Sequence, residues 1–248
     1  MTSRTQGMEL SVIVPVGNRH ADAVELYAEY TAGLDALGQS YEIIFVLDGP
    51  REEFAGGLTQ LLSDGVQFTV VGLTREFGEA TAIMAGFEHA SGETIITLPA
   101  YHQIEGQEIG KLVDALGVND LAIGRRWPRI GGSFERLRRW VFHGLLAWVT
   151  HLQFNDLGCG ARAFRRQVLE EIQLYGDQHR FLAVLADRQG FRVREVDLRQ
   201  SPKDRHARIY SPRDETRGFQ DAFPVFVVER LTTEPPRFIV MVDVTTVG

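Results

Sequence analysis

No second cysteine accompanies Cys159 in this chain of 248 residues. An internal disulfide is therefore impossible, and a cysteine-rich metal site is excluded. A single thiol fits a reducing compartment. No run of eighteen apolar residues occurs, so no stretch reads as a membrane-spanning helix. The opening segment, residues 1–7, is short and polar and lacks the apolar centre of a signal peptide. Positive charge is in deficit: 26 Lys and Arg face 33 Asp and Glu, a net charge of −7. That balance argues against a general nucleic-acid binder. Internal repeats and low-complexity linkers are missing too. No Gly-x-Gly-x-x-Gly turn follows the first apolar run, which continues as Gly17-Asn18-Arg19. An ordinary dinucleotide-dependent dehydrogenase is therefore a poor reading.

What is present is an alternation of short apolar runs and helical periods. The runs 10–16, 41–47, 67–73 and 93–98 read as strands buried on both faces. Helical spacing over 21–37, 52–63 and 78–90 separates them, and Gly38 is placed to stop the first helix. The order β-α-β-α-β-α-β predicts an α/β fold, a Rossmann-like, mostly parallel sheet with helices on both faces. Beyond it, helices are expected over 107–116, 134–154, 165–172, 181–189 and 218–231. Strands are expected over 120–124 and 191–198. In the latter, Val193 and Val196 are expected on a different face from Arg192 and Arg194. We read 1–248 as a single domain, with a nucleotide-binding half (1–105), an acceptor half (106–231) and an apolar, β-branched tail (232–248) without a membrane helix.

In open α/β sheets, ligands bind beyond the carboxyl ends of the strands. Asp48, Arg19, Arg75, His102 and Gln103 all fall there. A lone aspartate at a strand end accepts a hydrogen bond from a base or a ribose, or it caps a turn. Arginines suit phosphate because the guanidinium is a permanent forked donor. The stretch Asp156-Leu-Gly-Cys-Gly-Ala-Arg162 offers small residues that let backbone approach a ligand. It also offers an acid suited to general-base work, or a turn with Asp156 as its cap. Between Gly124 and Arg166 nine arginines face two acids, which points to an anionic partner, a phosphate or a lipid surface. The helix 134–154 mixes arginines with Trp and Phe, a pattern that serves a membrane surface or a packed interface. The run Lys203–Tyr210 reads as a cationic flap or as a solvated charge run.

Together these pieces resemble the family 2 glycosyltransferases of the GT-A fold, in the branch that acts on dolichol- and polyprenyl-phosphates. The matching residues are Ser11–Val16, Tyr41–Val46 with Asp48-Gly49, Arg75 with Phe77-Gly78, and Ala82 with Ala85-Gly86. Leu98, Ala100 and Gln103 follow, then Asp156 with Gly158-Cys159-Gly160 and Arg162. His179-Arg180-Phe181-Leu182, Gly190–Val196 and Arg208-Ile209-Tyr210 complete the match. The resemblance implies transfer of a sugar from a nucleoside diphosphate sugar to a lipid-phosphate or glycan acceptor. By matching position Asp48 would contact the nucleotide base, and Asp156 would be the catalytic or acceptor-side acid; we expect Pro15, Arg19, Arg75, Gly78 and Gln103 to bind the nucleotide sugar with Asp48. Arg162, His179, Arg180 and Arg208 would surround the diphosphate or the acceptor phosphate. From the pattern of 134–154 we expect a cytoplasmic chain, either free or peripheral at the inner face of the membrane through that helix.

The departures are specific. The family's Asp-x-Asp metal motif should occupy positions 99 and 101, which hold Pro99 and Tyr101. Magnesium and manganese prefer oxygen ligands, so the divalent metal expected of the family loses its usual carboxylates. Leu47 replaces the first of a pair of aspartates, and Glu79 replaces a usual basic residue. Two expectations follow: an active transferase in which Arg19, Arg75 or the 203–208 loop stands in for the cation, or a degenerate fold kept as a binding or regulatory partner.

Overall fold

The computed structural model describes residues 8–128, 154–176, 178–204 and 240–241. Its strands are β1 (Leu10–Val16), β2 (Tyr41–Leu47), β3 (Thr69–Leu73), β4 (Thr94–Thr97), β5 (Leu121–Arg126), β6 (Arg162–Arg165), β7 (Val193–Leu198) and β8 (Val240–Met241). Helices are α1 (Ala23–Asp35), α2 (Glu52–Ser63), α3 (Glu79–His89), α4 (Ile109–Leu116), α5 (Gln167–Glu171) and α6 (Leu182–Arg188). One sheet takes all the described strands in the order β7-β5-β6-β4-β1-β2-β3-β8. β1 pairs in parallel with β2 and β4, β2 with β3, and β5 with β7. β6 runs antiparallel between β4 and β5, and β8 runs antiparallel to β3.

The central strands β1, β2 and β4 are largely buried on both faces because they carry apolar side chains on both. Along β1, Val12 and Val14 pack with Leu26 and Leu34 of α1, Phe54 of α2 and Leu112 of α4. Ile13 points the other way, among Ala80 and Ile83 of α3 and Val168 of α5. A period of two along the chain thus sorts side chains into two cores, one per face. Pro15 lies in β1 opposite Val46, two residues past Ile13, where the ladder to β4 ends. Its missing N–H therefore costs no ladder bond.

Several elements differ from expectation in instructive ways. The expected helix over 107–116 begins as a 3-10 turn, Gly106–Glu108, before α4. That turn packs tightly on α1: a side chain at Gly33 would collide with the Gly106 carbonyl. The expected strand 120–124 runs on to Arg126. Val193 and Val196 lie on opposite faces, one in each core, as three-residue spacing on a strand requires. The helices expected over 134–154 (except Phe154) and 218–231, and Arg208 with them, lie outside the described residues.

Candidate active site

The topology gathers the carboxyl ends of β1, β2, β3 and β4 along one rim. β5 and β7 end on the same rim, and β6 begins there because it runs antiparallel to β4. Thr97 pairs with Arg162, and the Thr97 hydroxyl donates to the Gly160 carbonyl at 3.0 Å. The Ala21 N–H donates to the Ala100 carbonyl at 2.8 Å, tying the turn after β1 to the tip after β4. The two halves of the sequence-based site are therefore one neighbourhood.

On the β1–β3 side, Asp48 is buried, and its two oxygens accept the N–H groups of Phe77 (2.7 Å) and Gly78 (3.0 Å). The carboxylate thus shapes the turn into α3, where Gly78 takes φ +95°, a conformation that favours glycine. Arg75 is exposed and lies over the Phe77 ring, 4.9 Å from its centroid. Pro15 is buried within β1.

Asp156 is held by an arginine that sequence reasoning passed over. Arg126 donates through Nε to Oδ2 (2.7 Å) and through Nη2 to Oδ1 (2.8 Å), and its backbone N–H reaches Oδ2 at 3.2 Å. Both side chains are buried, at 4% and 3% exposure. Burial, the largest single influence, lowers the Arg126 pKa, but the hydrogen bonds and charge of Asp156, with Cys159 and Tyr101 nearby, together outweigh it and raise it above its usual value. Glu195 of β7 fixes the loop from behind, accepting the N–H groups of Asn155 (2.7 Å) and Asp156 (3.0 Å). Cys159 is buried, and burial with the nearby Asp156 charge pushes its thiol up to about 11.

Gln103 links the tip after β4 to this loop. Its Oε1 accepts the Gly160 N–H at 2.7 Å, and its Nε2 donates to the Tyr101 hydroxyl at 2.8 Å. Arg19 lies on the Tyr101 ring, with Cζ 3.6 Å from the centroid. Its Nη2 donates to Asp204 at 2.6 Å. Asp204 is buried, accepts Gln200 Nε2 at 2.8 Å and lies 3.8 Å from Arg126 Nη1. The run Arg19–Asp204–Arg126–Asp156 is a continuous charged network along the rim. Arg162 is buried beside it, and its Nη1 has no hydrogen-bond partner among the described residues.

His102 faces α1. Its Nδ1 lies 2.6 Å from Glu29 and its Nε2 lies 3.6 Å from Glu25. Lys203 reaches the same two glutamates, so the 200–204 segment is pinned to α1. His179 is buried with Nε2 3.5 Å from Glu79, while its neighbour Arg180 is exposed. Two central members, Arg126 and Asp204, were missed for identifiable reasons. The sequence pattern ends this strand at Gly124, two residues short of Arg126. Asp204 was hidden in a run read only for its cations.

The residues present do not fit a divalent metal at the Asp-x-Asp position. Pro99 has no side-chain donor, and its carbonyl accepts the Tyr30 hydroxyl at 2.6 Å. Burial pushes the Tyr101 phenol up to about 12, so it is neutral near pH 7. Asp48 spends both oxygens on backbone N–H groups, and Asp156 and Asp204 face guanidinium groups. Among the described residues no group of three His, Cys, Asp or Glu could hold a metal ion.

Known proteins resemble this chain in sequence and in fold. The chain is 29% identical to undecaprenyl-phosphate 4-deoxy-4-formamido-L-arabinose transferase of Shewanella sediminis, over 94% of the chain and 70% of that protein. It is 32% identical to the Aeromonas hydrophila protein of that name, over 76% of the chain and 58% of the relative. The chain thus spans about three-fifths to seven-tenths of the length of these curated relatives. Among solved structures, mannosyltransferase PcManGT of Pyrobaculum calidifontis, in complex with GDP-Man and Mn2+, superposes over 94% of the chain and 67% of its own, with TM-score 0.62 and 16% identity. Glucosyl-3-phosphoglycerate synthase of Mycobacterium tuberculosis, with Mn2+, UDP-Glc and phosphoglyceric acid, covers 93% of the chain and 81% of its own at TM-score 0.65 and 16% identity. These structures share the GT-A fold expected from sequence. The profile of glycosyl transferase family 2 matches residues 11–173, and the chain belongs to that family.

Proposed function

We propose that this chain transfers a sugar from a nucleoside diphosphate sugar to a polyprenyl phosphate. The observation that carries the acceptor choice is the bidentate bond between Asp156 and Arg126. A hydroxyl acceptor must lose a proton as it attacks, and a base held in two strong hydrogen bonds to a guanidinium is poorly placed to take it. A phosphate acceptor needs no such base, because a phosphate monoester already carries between one and two negative charges near pH 7. Its oxygen attacks the anomeric carbon as the bond to the donor diphosphate breaks, and both electrons leave with the diphosphate. The work left to the protein is orientation and charge stabilisation. Arg126 reaches both Asp156 and Gly158 of the loop, and Arg162 follows that loop at the start of β6. Asp156 would hold Arg126 in place and would face the developing positive charge on the sugar.

The relatives' names support a lipid phosphate, and the arginine-rich 124–166 segment suits an anionic membrane surface. Among the described residues no helix is long and apolar enough to cross a membrane. We propose that the chain meets its acceptor at the inner face of the membrane. The experiment offers a panel of UDP- and GDP-sugars with either a short polyprenyl phosphate or the corresponding free alcohol. Lipid-phosphate-linked sugar is expected from the phosphate alone. Equal transfer to the alcohol would refute the acceptor assignment. No transfer from any donor, with nucleotide binding intact, would favour the degenerate reading.

A further inference from the structure

We propose that Arg19 performs the electrostatic task usually given to a divalent cation, receiving the diphosphate of the sugar donor. This rests on the nucleotide-sugar reading above and names how that donor is held. Position is the first argument. The guanidinium lies 3.6 Å from the ring centroid of Tyr101, the residue that replaces the second carboxylate of the metal motif. A fixed cation therefore lies against the side chain that a metal would otherwise need as its ligand. A positive charge there repels a second one, and a neutral phenol offers a metal little in return.

Fixation is the second argument. Asp204 accepts Nη2 at 2.6 Å, and Gln200 holds Asp204 in turn. The ring of Tyr101, anchored through its hydroxyl to Gln103, supports the flat face of the guanidinium. A charge held in this way needs no reorganisation when the leaving group gains its extra negative charge. Unused capacity is the third argument. Nη1 of Arg19 is buried and makes no hydrogen bond among the described residues, while the side chain as a whole is one-third exposed. Nη1 of Arg162 is likewise buried without a partner among the described residues. Two unmet donors on one rim suit a ligand with several acceptor oxygens, and forked guanidinium donors match phosphate oxygens. No proton, oxidant or further reactant is needed: the anomeric carbon–oxygen bond breaks and the diphosphate keeps the electron pair.

The test is calorimetric titration of UDP, GDP and their monophosphates into the full chain, in EDTA and in Mn2+. Wild type, Arg19→Ala and Arg19→Lys are compared. Diphosphate binding by wild type is expected to change less than about threefold between EDTA and Mn2+. Arg19→Ala is expected to weaken the diphosphate at least about tenfold while the monophosphate moves less than about threefold. Lysine should recover only part of the loss, since it offers a point charge in place of a fork. Because Arg19→Ala leaves Asp204 buried without that partner, wild-type transfer in excess EDTA is measured alongside and depends on no variant. Diphosphate binding or transfer that requires Mn2+, or an Arg19→Ala chain that binds the diphosphate like wild type, overturns the inference and leaves the donor reading standing. No binding of any nucleotide under either condition overturns the donor reading and this inference with it.

Discussion

Replacing Asp156 by asparagine separates the structural and chemical roles of the Arg126 pair. The substitution keeps shape and removes one charge. It leaves the Arg126 guanidinium buried, at 4% exposure, with one of its two acceptor oxygens turned into an amide that donates. The bonds at stake are those of 2.7 and 2.8 Å, with the 3.2 Å backbone bond behind them. Removing one member of a buried ion pair costs about 3–5 kcal/mol, because the surviving charge stays desolvated. Asp204, 3.8 Å from Arg126 Nη1, offsets part of that. We therefore expect Asp156→Asn to lose about 3 kcal/mol. Domains are stable by about 5–15 kcal/mol, so the variant should remain folded. The substitution should thus abolish transfer and carry a measurable stability cost as well. Urea unfolding read by tryptophan fluorescence measures it. The double variant Asp156→Asn/Arg126→Met removes the stranded charge and should recover at least about half of the loss. Transfer should stay lost in both variants. A loss below about 1 kcal/mol in the single variant would refute the claim that this pair is desolvated and mutually dependent.

Three further outcomes follow from the same geometry. With its thiol pushed up to about 11 by burial, Cys159 should be only about 0.1% thiolate at pH 8 and react with a thiol reagent only after unfolding; rapid labelling of the native chain would contradict its placement. Gly33→Ala should cost at least about 1–3 kcal/mol, because the added methyl meets the Gly106 carbonyl, which a side-chain rotation cannot clear; an unchanged melting temperature would rule out that close approach. Acid should destabilise the fold: Asp120 is held below its usual value by the Arg192 N–H, Asp197 is held low by Arg125, and Glu108, despite burial that raises it, is held low by Lys111 and the Arg199 N–H. Folded values below the ordinary 3.8 and 4.5 mean that the stability is complete above that range and is lost as pH falls through the folded values. The urea midpoint should be flat from neutral pH down to about 5 and decline below about 4, and a midpoint that rises on acidification through that window would refute the assignment.

The strands were legible because burial on both faces writes itself locally, as runs such as LSVIVPV and YEIIFVL. The rim was legible for the same reason, since strand ends are marked by Pro, Gly and Asp. Partners were not legible. Arg19 meets Asp204 across 185 positions of sequence, and Arg126 meets Asp156 across 30. Nothing local distinguishes an arginine that holds a buried aspartate from one that points into water, as Arg75 shows. His102 illustrates the converse. Its place in the polar tip implied a ligand-facing role, yet the packing of α1 on Gly106 brings Glu25 and Glu29 within its reach. These pairings also change how the substituted motif is understood. Taken singly, Pro99 and Tyr101 are lost ligands and suggest decay. Taken with Arg19 stacked on Tyr101, Gln103 anchoring its hydroxyl and Asp204 orienting the guanidinium, they form one connected arrangement of charge. Decay would be expected to leave carboxylates without cations, or cations without support. Here Arg19, Arg126, Asp156 and Asp204 are each buried or partly buried and each paired. A network with its charges matched is costly to assemble by chance, and that favours a site whose electrostatics were exchanged over one that was abandoned.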